Sequence, residues 1–435
     1  MLKAFKNYIK KEAPFLKKNK ILIALSGGLD SVVLTHLCVE SGLDVALAHC
    51  NFNLRAEESD ADENFVLRLA EALDLELFVE YFDTETYAEN KKISIQMAAR
   101  ELRYQWFFEL AEQLDFDHIL TAHHADDNLE TFLINLSRGC GLDGLTGIPN
   151  QNEKILRPLL TFSRNDLEGY ASEKKLEWRE DSSNASVKYL RNKIRHEIIP
   201  KLKETNPQFL ENFNRTIGHL KEAQGIIDDR LDDVSDNIID VKDDSISFSI
   251  EQLNALNDPK AYLYELIKDY GFTQWDDVYA LFDAQSGKQL FSQNWRLLKD
   301  RDRLILTAIE DKSHDHIHIE ALKKEVPIPI GKLVFETVES LSDTDHNVIF
   351  VDRDRFIQPL YVKKWEEGDS FHPFGLNGRK KVSKYFKDEK MSLIDKENSW
   401  LLCSGQDIVW IIGRRADERF KVTDKTKQIL KIELK

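Results

Sequence analysis

Residues Ile21-Leu22-Ile23-Ala24-Leu25 form an unbroken apolar run that passes straight into Ser26-Gly27-Gly28-Leu29-Asp30-Ser31. A short apolar run closed by glycine reads as a buried strand. Two adjacent glycines let the chain turn sharply and bring N–H groups close to an anion with no side chain in the way. The helix expected to open near Ser31 aims its positive end at the same spot. Ser26 and Ser31 add hydroxyl donors, and Asp30 is placed to hold a magnesium ion that bridges phosphate oxygens. The segment therefore reads as a phosphate cradle, which points to ATP. No G-x-x-x-x-G-K-[ST] is present there, so a Walker-type loop is not the reading.

A chain of 435 residues exceeds what one compact core holds, and two or three domains are expected. No apolar run approaches the roughly 18 residues of a membrane span, and the lysine-studded start lacks a signal-peptide core. The chain is expected to stay in the cytoplasm, with no membrane partner. Cys38, Cys50, Cys140 and Cys403 are scattered without a C-x-x-C pair, as free thiols in a reducing compartment are. The net charge of -16 argues on its face against nucleic acid, but distribution matters more than the total. Lys188 to Lys203 and Lys380 to Lys387 are locally basic, whereas Asp228 to Asp244 is strongly acidic.

From Ile21 to about Ser137, short apolar strands (Val45–Ala48, Leu75–Val79, Ile119–Ala122) alternate with helical patterns (Glu57 to Leu73, Ile95 to Leu114). Such alternation predicts an α/β fold with a doubly wound parallel sheet whose site lies at the carboxyl ends of the strands. The expected organisation is a catalytic domain over 1–215, a mainly helical domain over 216–310, a linker with connecting strands over 311–360, and a small mixed α/β C-terminal domain over 361–435. Each polar motif follows a strand: His49-Cys50-Asn51-Phe52-Asn53-Leu54-Arg55 the second, Ala122-His123-His124-Ala125-Asp126-Asp127-Asn128-Leu129-Glu130-Thr131 a later one. In the latter, Asp126 and Asp127 are candidates to bind magnesium or orient a nucleophile, and a histidine to balance charge at a leaving group. The competing structural reading has Asp126 as a helix N-cap and His123 simply packed.

SGGLDS resembles the PP-loop of the ATP pyrophosphatases, which split ATP to AMP and pyrophosphate. With HCNFNLR, AHHADDNLET, Arg138-Gly139, Arg157-Pro158-Leu159-Leu160, Trp178 to Asn184 and Leu190-Arg191-Asn192-Lys193-Ile194-Arg195 in this order, the chain resembles the tRNA(Ile)-lysidine synthases of the PP-loop superfamily. Trp365 to Asp369 and Lys380 to Phe386 resemble that family's C-terminal domain. Asn128, Ala122 and Ser182 depart from the usual glutamine, glycine and proline, and Asp395-Lys396-Glu397 stands where the family tends to have an arginine.

The resemblance implies adenylation of the C2 oxygen of the wobble cytidine in an isoleucine tRNA with a CAU anticodon. Free L-lysine then displaces AMP. It implies ATP and Mg2+ as cofactors, with Ser26, Gly27, Gly28, Leu29, Asp30, Ser31, His49 and Asn51 binding ATP and Asp30, Asp126 and Asp127 binding the metal. Asp30, His123, His124, Asp126, Asp127 and Arg100 are the expected catalytic set, Arg100 as phosphate clamp, because charge builds on the α-phosphate. With a reference pKa near 10.4, roughly one lysine amine in 2,500 is neutral at pH 7, so a base is needed. His123, His124 and Asp127 remain alternatives for it. Arg191, Arg195, and Glu180 or Asp181, are candidates to hold the lysine's own charges. Lys188, Arg191 and Arg195 are expected to form a basic stripe for tRNA phosphates, and Lys380, Lys381 and Lys384 to meet the acceptor stem. A homodimer is left open. The competing functions are a tRNA thiolase of the same superfamily, for which paired cysteines are missing, an ammonia-using ligase such as NAD synthetase, and a non-catalytic RNA-binding protein.

Overall fold

The computed structural model describes residues 1–54, 57–180, 190–242, 245–309, 316–319, 324–341, 345–376 and 378–435. The chain divides into two units, Met1–Asp229 and Arg230–Lys435. Among the described residues, no helix is long and apolar enough to cross a membrane.

In the first unit the sheet contains β1 (Ile21–Ala24), β2 (Val45–Asn51), β3 (Leu77–Tyr81), β4 (His118–Leu120), β5 (Gln151–Asn152) and β6 (Ile155–Leu156), in the order β3-β2-β1-β4-β6-β5. β1 runs parallel to β2, Ile21 opposite Val45, and parallel to β4, Ile21 opposite His118. The short β5 is antiparallel to β6 at the edge. Ile21, Leu22 and Ile23 are fully buried because β1 is covered on both faces. Side chains alternate across it. Ile21, Ile23 and Leu25 pack with Val32 and Leu34 of the Leu29–Glu40 helix. Leu22 packs the other way, with Ala46, Phe107 and Phe116. The chain steps from β1 outward to β3 and returns to the other side of β1 as β4, and a ligand crevice forms at that reversal. The expected doubly wound sheet is present, with helices at Glu57–Leu73 and Ile95–Gln113.

The second unit has a different texture. β7 (Ile239–Lys242), β8 (Ser245–Ser249), β9 (Gln289–Phe291), β10 (Trp295–Asp300) and β11 (Arg303–Ala308) form an antiparallel sheet in the order β7-β8-β11-β10-β9. Phe248, Leu297 and Leu306 pack there against Leu253 and Leu263 of the Ile250–Asn254 and Pro259–Ile267 helices. The segment expected as mainly helical thus has its helices, Phe209–Ile238 foremost, and also this sheet.

Further on lie β12 (Ile317–Ile319), β13 (Glu325–Ile328), β14 (Gly331–Val338), β15 (Val348–Asp352), β16 (Leu360–Lys364), β17 (Ser370–Phe371), β18 (Lys380–Lys381), β19 (Trp400–Ser404), β20 (Asp407–Ile411) and β21 (Ile429–Leu434). Two four-stranded sheets, β12-β16-β19-β20 and β13-β14-β21-β15, share a core of Leu333, Val351, Leu402, Trp410 and Ile432. The strands expected to be connectors, β12 to β15, are built into these sheets: β14 pairs with β21 along its length.

Candidate active site

Ser26 to Ser31 leave the end of β1 as a tight loop. Gly27 has φ +85°, which L side chains rarely adopt, and a Cβ there would sit 3.3 Å from Val66 Cγ1. The Ser31 hydroxyl donates to Gly28 O at 2.9 Å and accepts from Ser26 N at 3.2 Å, while the two serine hydroxyls lie 3.1 Å apart. The serines therefore brace the loop. Leu29 begins the helix and buries its side chain in the core, leaving its backbone to the loop.

At the end of β4, His124 caps the Ala125–Arg138 helix: its Nδ1 accepts from Asp127 N, and Asp127 Oδ2 accepts from His124 N at 3.1 Å. The N-cap is His124 rather than Asp126, with Asp127 as the returning acid of the capping box. With Nδ1 accepting, the ring proton is on Nε2, 3.4 Å from Asp127 Oδ2 and 3.7 Å from Asp30 Oδ2. His124 thus lies between two carboxylates.

A ring of cations encloses these acids. Arg164 Nη1 donates to Asp30 Oδ1 at 2.6 Å. Asp126 is held on both oxygens, by Lys203 Nζ and by Arg164 N at 2.8 Å. Glu130, only 1% exposed, accepts from Arg191 Nε at 2.8 Å and from Arg195 Nη2 at 3.0 Å, and Arg195 Nη2 also donates to Asp127 Oδ1 at 3.0 Å. Arg191 and Arg195 reach one carboxylate from the Leu190–Lys193 helix and the π-helical turn Ile194–Ile198. Such a wide turn brings residues four apart nearly into line, and π-turns recur at functional sites. Burial pushes the Asp30 carboxyl above its usual range, against the pull of His124 and Arg164. Burial acts the same way on Asp127, but His124, His123, the backbone bond from His124 and Arg191 outweigh it and hold that carboxyl below the usual range. His123 lies on the other side, 3.0 Å from Thr121 Oγ1, and burial pushes it down to about 4, helped by Arg157, Arg191 and Arg100. It is neutral at pH 7.

The Ile95–Gln113 helix supplies the remaining wall. Arg100 lies over the Tyr104 ring at 4.9 Å and Arg103 over Phe52 at 5.2 Å. Among the described residues Arg100 takes part in no ion pair. These walls and the ends of β1, β2 and β4 enclose a cavity of about 370 Å³, in which Ser26, Gly28 and Asp30 face His123, Asp127, Arg191 and Arg195. Among the described residues no group of three or more His, Cys, Asp or Glu side chains is arranged to hold a metal on its own.

The PP-loop domain family matches residues 1–202, the TilS substrate binding domain residues 241–309, and the TilS substrate C-terminal domain residues 360–434. A tRNA(Ile)-lysidine synthase of Parabacteroides distasonis is 41% identical over 436 residues, covering 99% of this chain and 99% of its own. The chain belongs to the tRNA(Ile)-lysidine synthase family. A second such synthase, from Bacteroides thetaiotaomicron, is 37% identical over 97% of both chains. Among solved structures, the U34-tRNA thiolase NcsA of Methanococcus maripaludis overlaps 51% of this chain and 80% of its own with a TM-score of 0.43 at 17% identity, too remote to inform function.

Within this lysidine synthase family member, Ser26, Gly28, Asp30, Ser31, Arg100, His123 and Asp127 line the cavity, and His124 stands directly behind. Other expected residues lie elsewhere. His49 is buried and bonds Leu25 O through Nδ1 at 2.9 Å, and Asn51 donates to Glu63 at 2.8 Å; both brace strand ends, while Cys50 of β2 and Phe52 just past it line the cavity. Asp126 faces Lys203 instead of the cavity. Arg191 and Arg195 both hold Glu130, a buried carboxylate that would be costly without cations, while their own side chains stay 43% and 33% exposed. Lys188 and Asp181 lie outside the described residues. Lys380 pairs with Asp388 at 2.7 Å, and Lys381 and Lys384 are exposed beside Tyr385 and Phe386, which are core residues. Sequence reasoning does not single out Arg103, Glu130, Arg164 or Lys203, although Glu130 sits within AHHADDNLET, Lys203 closes the basic stretch from Lys188 and Arg103 follows Arg100 by three on one helix; Arg164 has no local signal.

Proposed function

We propose that the chain is an ATP-dependent ligase that joins free L-lysine to C2 of the wobble cytidine in a CAU-anticodon isoleucine tRNA, switching its decoding from AUG to AUA. The observation that carries this reading is one cavity holding cradle, paired acids and arginines, on a chain aligned end to end with a tRNA(Ile)-lysidine synthase.

In the first step the cytidine C2 oxygen bonds to the α-phosphorus of ATP, and the bond to pyrophosphate breaks. The N–H groups of the Gly27–Gly28 loop and the following helix start suit the phosphates. Charge grows on the α-phosphate oxygens, and Arg100, outside every ion pair described above, is available to meet it. Asp30 and Asp127 offer hard oxygens at one edge of the cavity and fit a magnesium ion that takes its other ligands from phosphate and water. Asp126, which faces Lys203 rather than the cavity, does not. When bound, the ion would offset charge on the phosphates.

In the second step the lysine amine bonds to C2 as AMP leaves, and the nitrogen must lose a proton. His124 Nδ1 is already accepting a hydrogen bond, so neutral His123 is the base we favour. The amine nitrogen becomes strongly acidic as it bonds to carbon, which lets a weakly basic imidazole take the proton. Arg191 and Arg195 suit anionic groups in the same cavity.

The test is stoichiometric. AMP and pyrophosphate should appear one for one with labelled lysine in an unmodified isoleucine tRNA transcript bearing CAU, and not with a methionine tRNA of the same anticodon. AMP release without lysine incorporation would overturn the reading.

A further inference from the structure

The first twenty residues hold seven lysines and one glutamate, in a chain whose net charge is -16. They form the Leu2–Glu12 helix and the Pro14–Lys17 turn. The apolar side of the helix is used up, because Phe5 and Ile9 are fully buried in the catalytic core and Leu2 and Tyr8 pack beside them. The flank beside it carries Lys3, Lys6 and Lys10, spaced to share a stripe, with Lys11, Lys17 and Lys18 following. All six are exposed, and among the described residues none has a carboxylate partner. Phe5 meets Phe162, with ring centroids 6.5 Å apart, two residues before the Arg164 that holds Asp30. The helix that carries the lysines thus packs, through its apolar face, on the segment that leads to Arg164.

We propose that this lysine face holds the sugar-phosphate backbone of the RNA substrate during modification. The inference rests on the tRNA reading above and adds to it a surface outside the cavity. Uncompensated lysines on a strongly acidic protein are complementary to a polyanion, and bound RNA phosphates release counterions as lysines replace them. An anionic membrane surface would fit the charge, but amphipathic helices bind membranes by burying an apolar face, and this one is already buried in the core.

The experiment uses the full chain with Lys3, Lys6, Lys10 and Lys11 all changed to Gln, and in a second variant all to Arg. Binding to the CAU isoleucine tRNA transcript and to an unrelated tRNA is titrated between 50 and 200 mM salt. The Gln variant should bind both RNAs more weakly by a similar factor, since backbone contacts carry no sequence information. Its slope of log K against log salt should flatten by roughly 0.7–0.9 for each phosphate that the variant no longer neutralises, up to about three to four for the four lysines. The Arg variant should keep the parental slope, and nucleotide binding should be equal in all three proteins. An unchanged slope in the Gln variant overturns the proposal alone. A parent chain that binds neither RNA overturns it together with the tRNA reading.

Discussion

Glu130 gathers Arg191 and Arg195 on one buried carboxylate beside Asp127, so removing it leaves two guanidiniums without their anchor. Glu130→Ala should destabilise the catalytic domain by about 1–3 kcal/mol, read by denaturant unfolding, and lower turnover as the arginines lose their orientation. Arg100→Ala should instead leave stability nearly unchanged and cut the adenylation rate by about 100-fold, read as pyrophosphate release. His123 makes a sharper prediction. Burial holds it neutral down to about pH 4, and free lysine stays protonated up to about pH 10. An ammonium meeting a neutral imidazole is therefore the dominant pairing between those limits. With ATP and tRNA saturating, kcat/KM for lysine should rise about tenfold per pH unit from about pH 5 to 9 as free amine forms, and should steepen below about pH 4, where His123 also takes a proton. A slope that stays tenfold per unit through pH 4, with no steepening, would mean that His123 is not the base. At this scale the sequence reveals the residues that follow strand ends, such as Asp30, His123 and Asp127. It cannot reveal Arg164 on Asp30 or Lys203 on Asp126, which meet across 134 and 77 residues with no local pattern.

Among the elements, the loop after β1 depends on Gly27. Gly27→Ala must place a side chain at φ +85° against Val66, at a cost of about 1–2 kcal/mol, and shift the cradle N–H groups. The KM for ATP should rise while lysine binding is spared, which steady-state kinetics with each substrate varied in turn would check. The elements of the parallel sheet are legible because strands buried on both faces are apolar throughout, as in Ile21-Leu22-Ile23. The sheet of β7 to β11 is harder to read. Its strands have one packed face, and in β11 buried Leu304 and Leu306 alternate with half-exposed Arg303, Ile305 and Thr307, a short pattern easily lost beside long helices. β12 to β15 are short and lie next to polar stretches, and they join the C-terminal sheets only by pairing with strands as distant as β21.

For the whole molecule, an acidic total masks local basic surfaces, which is why net charge alone misjudges the partner. Lys381 and Lys384 are exposed on a C-terminal segment whose aromatic residues are committed to the core. Changing both to Gln should raise the KM for tRNA and flatten its salt dependence while kcat holds, an outcome read from tRNA-dependent AMP release at two salt concentrations. The central claim concerns one covalent bond, and it is tested by its product. The full chain is incubated with magnesium, ATP, lysine and unmodified CAU isoleucine tRNA, the RNA is digested, and the wobble nucleoside is weighed. A lysine adduct on cytidine, absent with Asp30→Ala, is the predicted result; an unmodified cytidine from a chain that binds both ATP and the tRNA would contradict the account.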